Sequence, residues 1–328
     1  MKKKTEPLLG LTMGDPTGVG AEIIVKALHS SPHRVVVIGD AAVMRAAAKI
    51  TGISVEIRGI REISEAEFKE RAIEVVDLGN VDMDKLVRGK VSSMGGSAAF
   101  DYVEMAARLS MAGEIEAMVT APLSKEALNM AGYAYPGHTE ILAQLCKAPG
   151  VVMMLVAGDL RVSHVSTHVS LSQACKMVKK ERIGRVLQLT NEATRLMGIK
   201  RPRLAVSGLN PHAGEGGLFG NEEIEEIRPA IEAARASGLD VTGPLPPDTV
   251  FRRAWQGEFD AVIAMYHDQG HIALKMADFD RGVNVSLGLP IIRTSVDHGT
   301  VFDKAGKGTA NPTSMIEAMK LASMMCQS

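Results

Sequence analysis

Residues 266–271 read YHDQGH and set two histidines, His267 and His271, four apart with an acid beside the first. On a helix face that spacing presents two imidazoles to a zinc ion. Two features weigh against such a helix here. The apolar run FDAVIAM reads as a strand leading directly into His267, so Gly270 would fall in the first turn of any helix that followed, where glycine weakens it. A zinc-protease helix also carries a glutamate after its first histidine, and Asp268 is one methylene shorter. His267 is therefore read as a strand-end ligand, and His271 as a bystander whose replacement by leucine should spare metal binding.

Two further histidines stand where strands should end: His168 in SHVSTHV and His212 in SGLNPHAGEGG. Ligands of open α/β sheets bind beyond the carboxyl ends of the strands. Three imidazoles at three such ends can converge on one divalent ion and leave a coordination position open for chemistry. Each histidine alone reads better as an ordinary polar loop residue; jointly they favour a metal site. His138 opens a helix in YPGHTEIL and His298 lies in the loop DHGT. His29 and His33 flank an exposed helix end. His164 would share a face with His168 or fill the core.

The elements that must position these residues alternate. LLGLTM, VVVIG, AIEVVDLG and AMVTAP read as buried strands, separated by helical patterns such as VGAEIIVKALHS and AAVMRAAAKI. That alternation predicts an α/β fold with a largely parallel sheet. VVMMLVAGDLRVSHVSTHV reads as an antiparallel hairpin turning at Gly158-Asp159. Two helices over about 171–198, the strand RLAVSGL, an acidic helix and the strand DAVIAMYH follow. The tail returns to strands in GVNVSLGLPIIRTSV and ends on a helix after NPTS.

The bulk properties exclude several classes. The chain has 328 residues and a net charge of −1, which gives no general attraction to nucleic acid or to an anionic membrane. Such a length favours two domains over one. The MKKK start lacks an apolar segment of the signal-peptide kind, and no run approaches the roughly 20 apolar residues of a membrane span. Cys146, Cys175 and Cys326 are scattered and read as reduced thiols of a cytoplasmic protein.

Glycine-rich turns mark binding loops. MGDPTGVGAE runs from a strand into a helix without the spacing of the dinucleotide fingerprint, and an anion site or a plain structural turn are equally good readings. NPHAGEGG allows close backbone approach. With His138 and Thr139 at a helix start, the cations Lys275, Arg281 and Arg293 would suit a small phosphorylated or carboxylated substrate.

DHGTVFDKAGKGTANP resembles the nucleotide loop of the β-decarboxylating dehydrogenases. His298, Gly299, Thr300, Asp303, Ala305, Gly306, Ala310, Asn311 and Pro312 match, while Val301-Phe302 replaces a small residue and proline. With AYPGHTEIL, STHVSL, GLNPHAGEGG, GPLPPDTVF, AMYHDQG and GVNVSLGLPIIRTSVDHGT in order, the chain resembles the 4-hydroxythreonine-4-phosphate dehydrogenase family over essentially its full length.

The resemblance implies an isocitrate/isopropylmalate dehydrogenase-like pair of α/β/α domains with the active site in the cleft. Residues 1–135 plus 285–328 would form one domain and 136–284 the other. It implies a homodimer whose metal ligands and catalytic residues are His168, His212 and His267, one supplied by the neighbouring subunit, with Lys275 also catalytic. Substrate contacts would be His138, Thr139, Lys275, Asn284 and Arg293. NAD or NADP would be held by His298, Gly299, Thr300 and Asn311, and the divalent ion would be Zn, Co, Mn or Mg. Asp248 is a further polar residue for the substrate or metal shell.

The implied reaction is oxidation and decarboxylation of a phosphorylated 3-hydroxy acid. The substrate is 4-hydroxy-L-threonine 4-phosphate of pyridoxine biosynthesis, or 4-phospho-D-threonate or 4-phospho-D-erythronate of sugar-acid catabolism. His271, Ala21 and the segment FDRGVNVSLGLPIIRTSVDHGT lean towards the phospho-threonate side. Alternatives are a dihydrodiol carboxylate dehydrogenase of aromatic catabolism and a non-catalytic metal- or nucleotide-binding protein on the same fold.

Overall fold

The structure, a computed structural model, describes residues 6–31 and 33–328; the basic start read above lies outside them. In chain order the first elements are β1 (Leu9–Thr12), α1 (Gly20–Ser30), β2 (Val35–Gly39), α2 (Ala41–Thr51), β3 (Glu56–Ile60), β4 (Ala72–Asp77), α3 (Ser93–Met111), β5 (Ala117–Thr120), α4 (Lys125–Met130) and α5 (His138–Leu145). Then come β6 (Val152–Ala157), β7 (Leu160–His164), α6 (Leu171–Met177), α7 (Lys180–Leu196), β8 (Arg203–Ser207), α8 (Arg228–Ala236), β9 (Asp240–Leu245), α9 (Pro247–Trp255), β10 (Ala261–Ala264), α10 (His267–Ala277) and β11 (Val283–Leu287). β12 (Ile292–Val296) and α11 (Thr313–Cys326) close the chain.

The chain divides into two compact units, with changes after Val151 and Gly288. α5 packs on α3, and so belongs to the first unit rather than to the residues that follow it. Among the described residues no helix is long and apolar enough to cross a membrane.

In the first unit the strand order is β3-β4-β2-β1-β5-β12, with parallel pairing throughout. β1, β2 and β5 are buried along their whole length, as expected of strands covered on both faces by helices. Sequence caps the helices: Asp40 accepts from the N–H groups of Ala42 and Val43 to start α2, and Ser92 accepts from Gly95 N–H to start α3. After β1 the chain builds outward through β2; after β4 it crosses back to the other side of β1 with β5. The order therefore reverses between β1 and β5, whose last residues Thr12 and Thr120 are partners in register. Such a reversal leaves a crevice at the carboxyl ends of the two strands.

In the second unit the order is β11-β6-β7-β10-β8-β9. β6 pairs antiparallel with both β7 and β11; β7, β10, β8 and β9 run parallel. Leu274 of α10 enters a core of Leu155, Val162, Val250, Phe251 and Val262, which fixes α10 against the sheet.

Candidate active site

In the first unit the switch point carries the buried cation. Arg293 on β12 is 2% exposed, and its Nη2 donates to Thr120 Oγ1 at 2.6 Å. Burial pulls the guanidinium down to about 9, with Glu140 opposing, so it stays charged at neutral pH. Thr12 Oγ1 and His138 Nε2 are shielded from solvent and have no hydrogen-bond partner among the described residues. Burial, then the charge of Arg293, holds His138 well below the usual histidine range, so its ring is neutral. Beyond β1 the chain turns at Gly14 (φ 71°), where a Cβ would lie 2.3 Å from Pro122 O; only glycine lets the two strand-end loops approach so closely. Thr139 lies in the first turn of α5 behind His138.

The two glycine-rich motifs of this unit meet. Val19 N–H donates to Thr300 O at 3.1 Å. Glu22, 2% exposed on the first turn of α1, accepts from Gly306 N–H at 2.6 Å and from Gly308 N–H at 2.8 Å. Lys26 Nζ donates to Ala310 O at 2.8 Å. His298 Nδ1 lies 2.9 Å from Gly299 O, and its shielded Nε2 has no hydrogen-bond partner among the described residues. Asn311 is exposed, and its Oδ1 accepts from the N–H and the hydroxyl of Thr313, where α11 begins.

In the second unit YHDQGH departs from the sequence reading. β10 stops at Ala264, Tyr266 is extended, and α10 begins at His267. A short break thus separates strand from helix, and His267 and His271 do share one helix face. Their rings stack with centroids 3.5 Å apart and planes 13° from parallel. His271 is 8% exposed. Its Nδ1 lies 3.2 Å from Nε2 of His164, the fully buried last residue of β7.

Burial first and the neighbouring imidazoles second lower His164 to about 3 and His271 to about 4, so both are neutral at neutral pH. His168 lies four residues past the end of β7 rather than on it, so it shares no strand face with His164. Its ring centroid is 5.7 Å from that of His267. The two line a cavity of ≈ 470 Å³ with Thr167, Ser170, Tyr266 and Asp268.

His267 Nδ1 lies 2.6 Å from Asp268 Oδ1. A carboxylate accepting from Nδ1–H orients the ring and leaves Nε2 with its lone pair, the usual arrangement behind a metal-binding histidine. The donors of this chain therefore fit a divalent ion in type. His212 sits in a left-handed turn (φ 53°) with its exposed ring near Phe219. Among the described residues no three His, Cys, Asp or Glu side chains gather to hold a metal within one chain. Lys275 is about two turns along α10 from His267, its Nζ 5.5 Å from the Phe279 ring centroid. Asn284 on β11 has a shielded Oδ1 with no hydrogen-bond partner among the described residues, and Asp248 is exposed on the first turn of α9.

The sequence reading left Glu22, Thr120 and His164 without a role. Glu22 could have been noticed as a lone acid in the apolar stretch GAEIIVKAL, and His164 as the buried-phase residue of LRVSH.

Fold and site together are those of an α/β dehydrogenase. The chain belongs to the family of the pyridoxal phosphate biosynthetic protein PdxA, whose model matches residues 31–322. It is 49% identical over 319 residues to the D-threonate 4-phosphate dehydrogenase of Cupriavidus necator, covering 96% of each chain. It is 47% identical over 326 residues to the enzyme of that name from Salmonella typhimurium, covering 98% of this chain and 99% of the other. A crystal structure of 4-hydroxythreonine-4-phosphate dehydrogenase from Klebsiella pneumoniae superposes with a TM-score of 0.91 at 44% identity, covering 100% of both chains.

Proposed function

We propose that the chain oxidises the secondary hydroxyl of a small 4-phosphorylated hydroxy acid, with D-threonate 4-phosphate or its erythronate epimer as substrate and 4-hydroxy-L-threonine 4-phosphate as the close analogue. One observation carries the reading: Arg293, a buried guanidinium held by Thr120 at the switch point of a parallel sheet. A guanidinium at a strand end presents a planar fork that matches a phosphate or carboxylate. His138, neutral and with a shielded Nε2, adds a group able to hydrogen-bond that anion. The identity with the phospho-threonate enzymes supports the choice among phosphorylated acids.

A nicotinamide dinucleotide would supply the hydride acceptor and a divalent ion the Lewis acidity that favours loss of the hydroxyl proton and then of CO₂ from the β-keto acid. The chain's own part is to bind and orient. His298, Gly299, Thr300 and Asn311 would hold the dinucleotide on the loop braced by Glu22. His168 and His267 would hold the ion, with His267 aligned by Asp268. His212 is the third imidazole, and one of the three comes from the partner subunit of a homodimer. Ile272, Met276 and Phe279, exposed by 62%, 81% and 70% along and just beyond α10, support that assembly as an apolar surface needing cover. Lys275 and Asn284 would hold substrate oxygens.

The test is reduced-nicotinamide absorbance with purified enzyme, NAD or NADP, added divalent metal and each phosphorylated acid in turn, with and without EDTA. Turnover of D-threonate or D-erythronate 4-phosphate that EDTA abolishes is expected. No reduction with any of these acids would sink the reading.

A further inference from the structure

The histidines of the second unit form a connected line, and only its outer end is used in the reading above. His164 Nδ1 lies 3.4 Å from Met153 O on the neighbouring strand β6. Its Nε2 lies 3.2 Å from His271 Nδ1, which also lies 3.1 Å from the carbonyl of His267 one helical turn back. The His271 ring is stacked on that of His267.

One arrangement of protons satisfies every contact. His164 Nδ1–H donates to the Met153 carbonyl, so its Nε2 accepts. His271 Nδ1–H is then the donor, shared between His164 Nε2 and the His267 carbonyl, and His271 Nε2 keeps its lone pair. The orientation of the His271 ring is thus tied to the β6–β7 hairpin, and the flat of that ring lies against His267.

Gly270 belongs to the same device. A Cβ there would lie 2.4 Å from His164 Nε2 and 2.7 Å from Val162 Cγ1. Glycine, a poor helix residue, is what lets β7 bring His164 close enough to α10 to reach His271. A histidine serving only as core filler would need neither the glycine nor an aligned partner at both ring nitrogens.

We propose that His164 and His271 are a positioning pair that sets the ring plane of His267. The inference rests on the reading of His267 as a metal ligand. Orienting partners behind a ligand histidine typically change metal affinity by about 10–100-fold when removed.

The experiment uses the full-length assembled enzyme and cobalt(II) as the probe. Affinity and visible absorption are measured for wild type, His164→Leu, His271→Leu, His271→Asn and His267→Ala. Both leucine variants should bind cobalt about 10–100-fold more weakly, with a shifted spectrum and a kcat loss that exceeds any change in substrate KM. His271→Asn, whose amide N–H replaces Nδ1–H, should recover part of the affinity. If a leucine variant does not fold, His164→Gln, which keeps an acceptor near Nε2, and His271→Asn carry the test: His164→Gln should stay near wild type, His271→Asn, which lacks the stacked ring, should bind cobalt more weakly with a shifted spectrum, and wild-type affinity and spectrum in His271→Asn overturn the positioning pair. Folded leucine variants with unchanged affinity and spectrum, beside a His267→Ala variant that loses the metal, overturn the positioning pair alone. Unchanged binding in His267→Ala overturns the ligand reading beneath it.

Discussion

Glu22 accepts the backbone N–H of Gly306, 284 positions further along the chain, at 2.6 Å, and a second bond from Gly308 at 2.8 Å. A single buried carboxylate thus clamps two amides of the loop proposed to hold the dinucleotide. The acid ending the motif GDPTGVGAE and the glycines of DKAGKGTANP form one structural unit, though their distance in sequence hides it.

Replacing Glu22 by glutamine keeps the shape but leaves one oxygen for two donors. Hydrogen bonds to a charged group contribute about 1.5–3 kcal/mol, so losing one should raise the KM for the dinucleotide roughly tenfold. The kcat should change less, because the loop still closes on bound cofactor. Steady-state kinetics against NAD and NADP decide this. A wild-type KM in Glu22→Gln would detach the loop from cofactor binding.

Arg293 allows function and stability to be separated. Its guanidinium is buried, and such charges cost the fold more than a well-packed apolar side chain of similar size. Arg293→Met should therefore leave the melting temperature unchanged or higher. Without the cation the phosphorylated substrate loses a charge-assisted contact, and kcat/KM should fall by at least about thirtyfold, consistent with the roughly 2–5 kcal/mol of a buried charged pair. A variant both less stable and fully active would reverse the assignment of Arg293 to anion binding.

His138 gives a pH dependence with a definite sign. Burial, then Arg293, holds its folded-state pKa well below the ordinary value of 6.5. Below pH 6.5 the unfolded chain takes up a proton there and the folded chain does not. Its contribution is therefore fully present above about pH 6.5 and shrinks as pH falls towards the folded pKa, by at most about 1.4 kcal/mol per pH unit for one group. Urea unfolding of wild type and His138→Asn at neutral and mildly acid pH reads this out. The wild type should lose more stability on acidification than the variant; parallel losses would show His138 to titrate normally.

Legibility followed burial pattern. β1, β2 and β5 are short, wholly buried apolar runs, and the β6–β7 hairpin turns at Gly158-Asp159 as its composition required. β3, with the sequence EIRGI, escaped notice because an edge strand alternates and carries charge. β9 holds Gly243-Pro244, a pair that signals a loop; proline is tolerated there because the strand is an edge. At YHDQGH, local propensity marks Gly270 only as a helix-weakener. The close approach of His164 that requires it is a tertiary contact, invisible to local propensity.

Assembly and metal binding meet on α10. On α10 Ile272 and Met276 lie four apart and thus on one face, exposed by 62% and 81%, while Leu274 and His271 point into the fold. One helix would then present His267 to the ion and an apolar face to a partner. Charges on that face, in Ile272→Asp with Met276→Asp, should leave the fold intact, since neither side chain enters the core. They should favour monomer in sedimentation velocity and weaken divalent-metal binding in parallel, because among the described residues no three His, Cys, Asp or Glu side chains gather to hold a metal within one chain. A monomeric double variant that binds cobalt as tightly as wild type would mean that the ion needs nothing from a second subunit.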